Sequence, residues 1–308
     1  MLGPPPDCAV PDIAEFVYDA AQDVVLRLVD PETGEFSYRL ARVDPDLAPG
    51  DVAVGGTHVA ELLDGPTELA TTILAHLVYD PDGGLADPPP YAQIELVEAA
   101  SPTIVLSTDL LGNDVINAIL MGERIDPAAV TPYEEVEPDL REALARLAGT
   151  GAEVFVANLP RPSTLPATAE RKRAEVEAGT ATEAEVDARI AEIDAAGERL
   201  NALLADEAAA YPNVHVVDLY AHTADVAANG MEVGGEQLHS GKLGGLLSLD
   251  GVHFSDVGYA AVGALFVRAI NAELGTEVPE PDLAAIMETD PYALAALREA
   301  GIEPDDCQ

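Results

Sequence analysis

The chain contains no tryptophan, only two lysines (Lys172 and Lys242), only two cysteines and no apolar run of membrane-spanning length. With aromatics at 5%, alanine, valine and leucine must fill the core of these 308 residues. The shortage of cations leaves 15 Lys+Arg against 56 Asp+Glu, a formal charge of −41. A surface of that sign repels phosphate groups, which argues against nucleic acid or an anionic membrane as partner. Two origins of the acidity stay open: a GC-rich genome in which arginine replaces lysine, or adaptation to high salt, where screening removes self-repulsion. Cys8 and Cys307 lie near opposite termini, as a disulfide or as two free thiols. Neither stands in a Cys-x-x-Cys or Cys/His spacing, so no metal site is expected. The opening "MLGPPPDCAV" has neither the basic nor the apolar region of a signal peptide.

Four short apolar runs read as buried parallel strands: 51–56 (DVAVGG), 102–108 (PTIVLST), 152–158 (AEVFVAN) and 214–219 (VHVVDL). Each is rich in β-branched residues and ends at a polar or glycine-bearing turn. Helical patterns alternate with them. One covers 130–151 and ends in glycine; another opens with a Thr182/Glu185 capping box. The last follows Ser255 as N-cap and stops at Gly275, with Tyr259, Val262, Phe266 and Ile270 expected on its buried side. This alternation predicts an α/β fold with a parallel sheet in a single domain over 1–308, residues 168–207 forming a charged helical excursion. The segment "QDVVLRLVDPETGEFSYRLARV" reads instead as a hairpin, and the stretch from 281 onwards as a docked helix pair or a loose tail.

Ligand sites of open parallel sheets lie beyond the carboxyl ends of the strands, which directs attention to three loops. In "LSLDGVHFSDVGY", Asp250 and His253 are three residues apart in a loop that Gly251 lets turn tightly. A carboxylate that fixes the tautomer of a histidine base is the acid–base half of nucleophilic hydrolysis. A bare D-x-x-H is common by chance, and alone it reads as a turn with a polar histidine. In "STDLLGNDVINAIL", Asn113 at a strand end can donate to a developing oxyanion, although Gly-Asn-Asp is also ordinary turn composition. In "DVAVGGTHVAELL", Gly55 and Gly56 leave backbone N–H groups open before a helix, and His58 reads as an exposed helix-start residue.

Taken together and in this order, these blocks resemble the SGNH hydrolases, the GDSL-type lipases and esterases. "VAVGGTHVAELL" is similar to the family's second block, with Gly56 at the oxyanion glycine and Asp51 where asparagine is usual. "GNDVINAIL" is similar to the third, with Asn113 as the oxyanion asparagine and Leu111 where the first glycine of G-x-N-D belongs. "LGGLLSLDGVHFSDVGYAAVGALFVRAIN" carries the D-x-x-H pair, which makes Asp250 the orienting acid and His253 the general base. The resemblance implies a flavodoxin-like three-layer α/β/α sandwich and cleavage of small-molecule or lipid carboxylic esters through an acyl-serine. It implies no metal or organic cofactor, and export of the intact protein to the cell envelope or beyond.

One block is missing. No Gly-Asp-Ser occurs in the sequence, so no nucleophile is found, and Ser37 is the only serine before Gly56. The expectation is a chain that begins after the family's first strand and folds poorly unless "DVVLRLV" takes that strand's place, because unpaired buried backbone groups cost about 1–3 kcal/mol each. The alternative is a member of the same fold that has lost its nucleophile and serves as a binding or structural protein. A nucleotide-binding flavodoxin-like module would need a phosphate-cradling loop and no D-x-x-H, the opposite of what is present.

Overall fold

The computed structural model describes the strand residues 16–19, 24–29 and 36–42, then 53–54, 56–66, 92–290 and 293–299. Asp51, Gly55, Cys8 and Cys307 lie outside the described residues. Three runs, Phe16–Asp19 (β1), Val24–Val29 (β2) and Phe36–Arg42 (β3), form an antiparallel sheet in the order β1-β2-β3. The two β-rich runs expected to form a hairpin pair antiparallel, with Val24 opposite Arg42 and Leu26 opposite Leu40. "DVVLRLV" is therefore the central strand of a meander and does not enter the parallel sheet.

By where its contacts fall, the chain divides into two compact units: residues within 9–103 and 139–152, and residues within 104–138 and 153–308. In the smaller unit, Ala53 and Val54 are not in a strand, contrary to the reading of 51–56. They precede a turn held by the Thr57 hydroxyl, which donates to the Val54 carbonyl (2.9 Å). Apolar runs of this length do not distinguish a strand from a buried turn. Helix α1 (Val59–Asp64) is capped by His58, whose N–H donates to the Glu61 carboxylate (3.0 Å), so His58 is a helix-start residue as expected. Helix α2 (Gln93–Ala100) ends at Ser101 in the left-handed region. Glu98 on α2 accepts two hydrogen bonds from the Arg146 guanidinium (2.8 and 2.7 Å).

The larger unit is built on a parallel sheet. Ile104–Ser107 (β4) leads through helix α3 (Gly112–Leu120), a 3-10 turn at Pro127–Ala129 and helix α4 (Tyr133–Gly149) to Glu153–Ala157 (β5). Helices α5 (Pro166–Glu177) and α6 (Glu183–Ala208) lead on to Val214–Val217 (β6). The order is β4-β5-β6, with Leu106 opposite Phe155 and Val154 opposite Val214. Val154, Phe155, Val156 and Ala157 of the central strand are all buried, which is why that segment reads as a continuous apolar run without alternation. On β4, Ile104 and Leu106 are exposed.

After β6 come α7 (Leu219–Asn229), the short hairpin β7 (Met231–Val233) and β8 (Glu236–Leu238), and α8 (Asp256–Leu274). Helix α8 starts where the Gly258 N–H donates to the Ser255 hydroxyl and ends at Gly275 in the left-handed conformation, both as read from sequence. It is long and apolar enough by composition to cross a membrane. Here its Val262 and Phe266 pack on Phe155, Val217 and Leu219 in the core. Tyr259, expected on that buried face, is instead 52% exposed, although Val257 and Gly258 in the same first turn are buried. The C-terminal segment is a docked helix pair, α9 (Leu283–Met287) and α10 (Leu294–Glu299). Leu283, Met287 and Leu294 close over Val226, Leu238 and Val257.

Residues 168–207 lie mostly within α5 and α6, whose junction carries the Thr182 capping box (Glu185 N–H to Thr182 Oγ1, 3.3 Å). Val186, Ile193, Leu200 and Leu204 bury the inner face of α6. The two helices are locked by a buried carboxylate: Glu175 accepts from the Ile125 N–H (2.5 Å) and from Arg189 Nη2 (2.6 Å). Arg189 in turn donates to the Ile125 carbonyl.

Candidate active site

The loop before α8 is closed by its own backbone. Ser248 N–H donates to the His253 carbonyl (2.7 Å), Gly251 N–H to the Ser248 carbonyl (3.0 Å) and Ser255 N–H to the Leu246 carbonyl (2.9 Å). Gly251 has φ +72, and a Cβ there would come within 2.8 Å of both the Ala167 amide nitrogen and Lys242 Cε. Glycine is required at 251 both for its left-handed backbone and for the close approach of α5.

Inside this loop Asp250 is held from four directions. Its Oδ1 accepts from Ser248 Oγ (2.8 Å), Val252 N–H (2.9 Å) and His253 N–H (2.9 Å), and its Oδ2 lies 2.5 Å from His253 Nδ1. Burial pushes the carboxyl up, but these hydrogen bonds from the His253 ring, the two amides and the hydroxyl outweigh it and hold it well below the usual carboxylate range. An ionised carboxylate only accepts, so Nδ1 of His253 carries the proton and Nε2 is left as the accepting nitrogen. The imidazole is two-thirds exposed, so Nε2 is accessible to a reacting group.

Across from it, β4 ends and α3 begins. Leu111, in the place of the family's first block-three glycine, is buried at the helix N-cap, and Asn113 is the second residue of the helix. The buried Asp114 accepts on its backbone carbonyl from Thr131 N–H (2.8 Å), which ties the helix start to the loop beyond it. Asn113 and His253 line one cavity of about 210 Å³ in the larger unit. Three of the four residues singled out from sequence thus meet: Asp250 through its bond to His253, and His253 and Asn113 on the cavity wall. Gly56 belongs to the smaller unit, where it is exposed in a turn with φ +87.

Several residues of this site were not read from the sequence. Ser248 is a third donor to Asp250, and its signal is the hydroxyl two residues ahead of the aspartate. Asp109 also lines the cavity. The residue as a whole is exposed, yet its carboxyl folds back against Gly112, whose N–H it accepts. Burial against protein atoms pushes that carboxyl up, opposed by His253 when its ring is protonated and by the Gly112 N–H. His222 on α7 faces the same cavity, its pKa pushed down by burial and by Arg268 against the opposing Asp225. Tyr259 stands at the rim, its hydroxyl pushed up by burial and by Asp250 and Asp109. Asp109 and Tyr259 fall within the loop stretches quoted above without a motif role, and His222 lies in none of them; only the fold brings the three to one cavity.

Among the described residues no cluster of three or more histidine, cysteine, aspartate or glutamate side chains suited to a metal ion is present. The geometry is that of a carboxylate–histidine pair and an asparagine on the wall of one largely apolar cavity. No curated protein and no solved structure matches the chain. The family model for GDSL-like lipases and acylhydrolases does, over residues 52–266, a span that begins before the Gly56 turn and ends beyond the Asp250–His253 loop. With well over half of its length inside that match and a parallel α/β sheet beneath it, the chain belongs to the GDSL-like lipase/acylhydrolase family, whose members share the α/β/α hydrolase fold.

Proposed function

We propose that this chain carries the acid–base and oxyanion parts of an ester hydrolase that works through an acyl-serine. The observation that carries the reading is the Asp250–His253 pair, with Nδ1 fixed and Nε2 open, on a cavity shared with Asn113. His253 takes the proton of an attacking serine hydroxyl and returns it to the leaving alkoxide; Asp250 holds the tautomer and stabilises the imidazolium. Asn113 donates to the oxyanion, worth roughly 2.7–4 kcal/mol by comparison with known sites; Gly56, the second donor that the resemblance implies, belongs to the smaller unit. The acyl-serine is then hydrolysed by a water that His253 deprotonates.

None of the seven serines stands in a Gly-Asp-Ser, and the proposal places the nucleophile on a first strand outside this sequence. The same absence favours a second reading, a member of the family that keeps the pocket and binds without turning over. The deciding experiment is p-nitrophenyl ester hydrolysis by this chain, by a version extended through its in-frame upstream codons, and by each with His253→Ala. Turnover that depends on His253 in either form supports the enzyme; rates indifferent to His253 in both leave the binding protein.

A further inference from the structure

We infer that helix α5 sets the spacing between His253 and Asn113, with Lys242 and Arg171 as the positioning residues that tie it to the two sides of the site. The inference rests on the ester-hydrolase reading and adds what keeps its base and its oxyanion donor in register. Two such groups act on one carbonyl only while their spacing is kept, and a misplacement of about 1 Å can cost about a hundredfold in rate. His253 and Asn113 stand on separate elements, 140 positions apart in the chain. Both of those elements are attached to α5.

The head of α5 is completed by the acid–base loop. Its N-cap, Leu165, has no side-chain acceptor, and Pro166 at the first helical position has no N–H. The next amide, that of Ala167, donates to the Gly251 carbonyl (3.2 Å), so a residue between Asp250 and His253 supplies the cap that leucine cannot. One turn on, Glu170 Oε1 takes Lys242 Nζ (2.5 Å). The Lys242 side chain is mostly buried, and it passes so close to Gly251 that a Cβ there would be 2.8 Å from its Cε. The lysine therefore packs on the turn and ties it to the helix.

On the neighbouring residue, the Arg171 guanidinium holds the other element. Its Nε donates to the Ile119 carbonyl (3.2 Å) and its Nη2 to the carbonyls of Leu120 (3.0 Å) and Gly122, at the end of α3. Carbonyls at that place have no partner within their own helix. Asn113 lies in the first turn of the same nine-residue helix. A grip on the last turn is thus carried to Asn113 along a rod of about 13 Å.

The test is amide hydrogen exchange on the full 308-residue chain, read residue by residue by NMR, with ester turnover in whichever form of the protein shows it. Lys242→Met keeps the apolar stem and loses the ion pair. Exchange at Ser248, Gly251, Val252 and His253 is expected to quicken about fivefold, the upper range for a pair of this exposure, with α3 unaffected. Glu170→Gln should act alike, and the double variant no more than either, as for one shared contact. Arg171→Met should quicken exchange at Met121, whose N–H closes the last turn of α3, and leave the loop alone. Lys172→Met removes the same charge but breaks a different pair of α5, with Glu183 (3.0 Å) and Asp187 (2.5 Å) of α6, and should leave both regions as they are.

In a form with His253-dependent turnover, Lys242→Met and Arg171→Met should each lower kcat about tenfold with KM little changed, since the reacting groups are displaced and the pocket is kept. Loop exchange in Lys242→Met that matches the parent, or that rises equally throughout the chain, overturns the inference. So do fully additive effects of Lys242→Met and Glu170→Gln, a Lys172→Met variant that loosens the loop as much, or an unchanged kcat. Local exchange changes as expected, without turnover in any form, sink the hydrolase reading and leave the brace standing.

Discussion

The imidazole Nδ1 of His253 lies 2.5 Å from the Asp250 carboxylate, and that same carboxylate accepts the amide of His253 itself at 2.9 Å. One side chain thus holds both the backbone and the ring of His253. This double hold is possible because the residues are three apart in a loop that Gly251 closes.

Asp250→Asn should reverse that arrangement, since an amide can donate to Nδ1 and favour the other tautomer. Any His253-dependent ester turnover is expected to fall by roughly 10²–10⁴, with KM little changed. The pH dependence has a definite sign. The folded carboxyl is held below the unfolded value of about 3.9, so its stabilisation is fully present above that pH. It is lost as pH falls through the folded pKa. Thermal melts of parent and variant should differ at pH 7 and converge below about pH 4; a gap that persists unchanged to pH 2 contradicts the assignment.

Ser248→Ala removes one of the three donors to Asp250 Oδ1 and leaves the histidine contact in place. The carboxyl should titrate closer to the ordinary range, read from the 13C chemical shift of its side chain. The stability loss expected for one exposed hydrogen bond is about 0.5–1.5 kcal/mol, well short of the effect of losing the carboxylate.

Gly251→Ala tests the loop that holds the pair. A β-carbon there must adopt φ +72 and would crowd backbone of α5 at Ala167. Left-handed backbone costs a residue with a side chain about 1–2 kcal/mol before the clash is added. A drop in denaturation midpoint with loss of His253-dependent activity is expected; a variant as stable and active as the parent would mean that the loop is not constrained as described.

Glu175 is the buried anchor of the α5–α6 pair, where it faces Arg189 at 2.6 Å and the Ile125 amide at 2.5 Å. Glu175→Ala leaves a guanidinium without its counter-ion in the interior, so a loss of about 3–5 kcal/mol in urea unfolding is expected. The replacement of both partners, Glu175→Leu with Arg189→Met, should recover most of that loss.

The net charge of −41 leads to a salt prediction. Surface repulsion between acids more than about 10 Å apart is screened at 0.1 M salt and above, so the thermal midpoint should rise from low salt to molar KCl. A rise that continues above about 1 M favours the high-salt origin of the acidity, and a plateau near 0.1–0.2 M favours the compositional one.

Local chemistry made much of this molecule readable in one dimension. Runs such as VFVA and VHVV announce strands because β-branched side chains suit a pleated buried surface. The Thr182 box, the Ser255 cap and the Gly275 stop were legible because a cap is a contact between neighbours in sequence. The same holds for Asp250 and His253, whose partnership spans one turn of chain. The reading failed where a segment's environment depends on distant residues: AVGG forms no strand over Ala53–Val54, and Tyr259 opens to solvent although its spacing puts it on the apolar stripe of α8.

By itself the sequence determined the strands of the parallel sheet, the caps of its main helices, the acid–histidine pair and the family to which they point, since each rests on residues close together along the chain. Only the tertiary structure decided that the strand Val24–Val29 joins an antiparallel meander and that Asn113, Asp109 and His253 share a cavity. Asn113 and His253 are 140 positions apart, and they meet through elements that pack around the sheet, among them α8, whose Val262 and Phe266 lie on Phe155 of β5. No local preference encodes a distance of that kind.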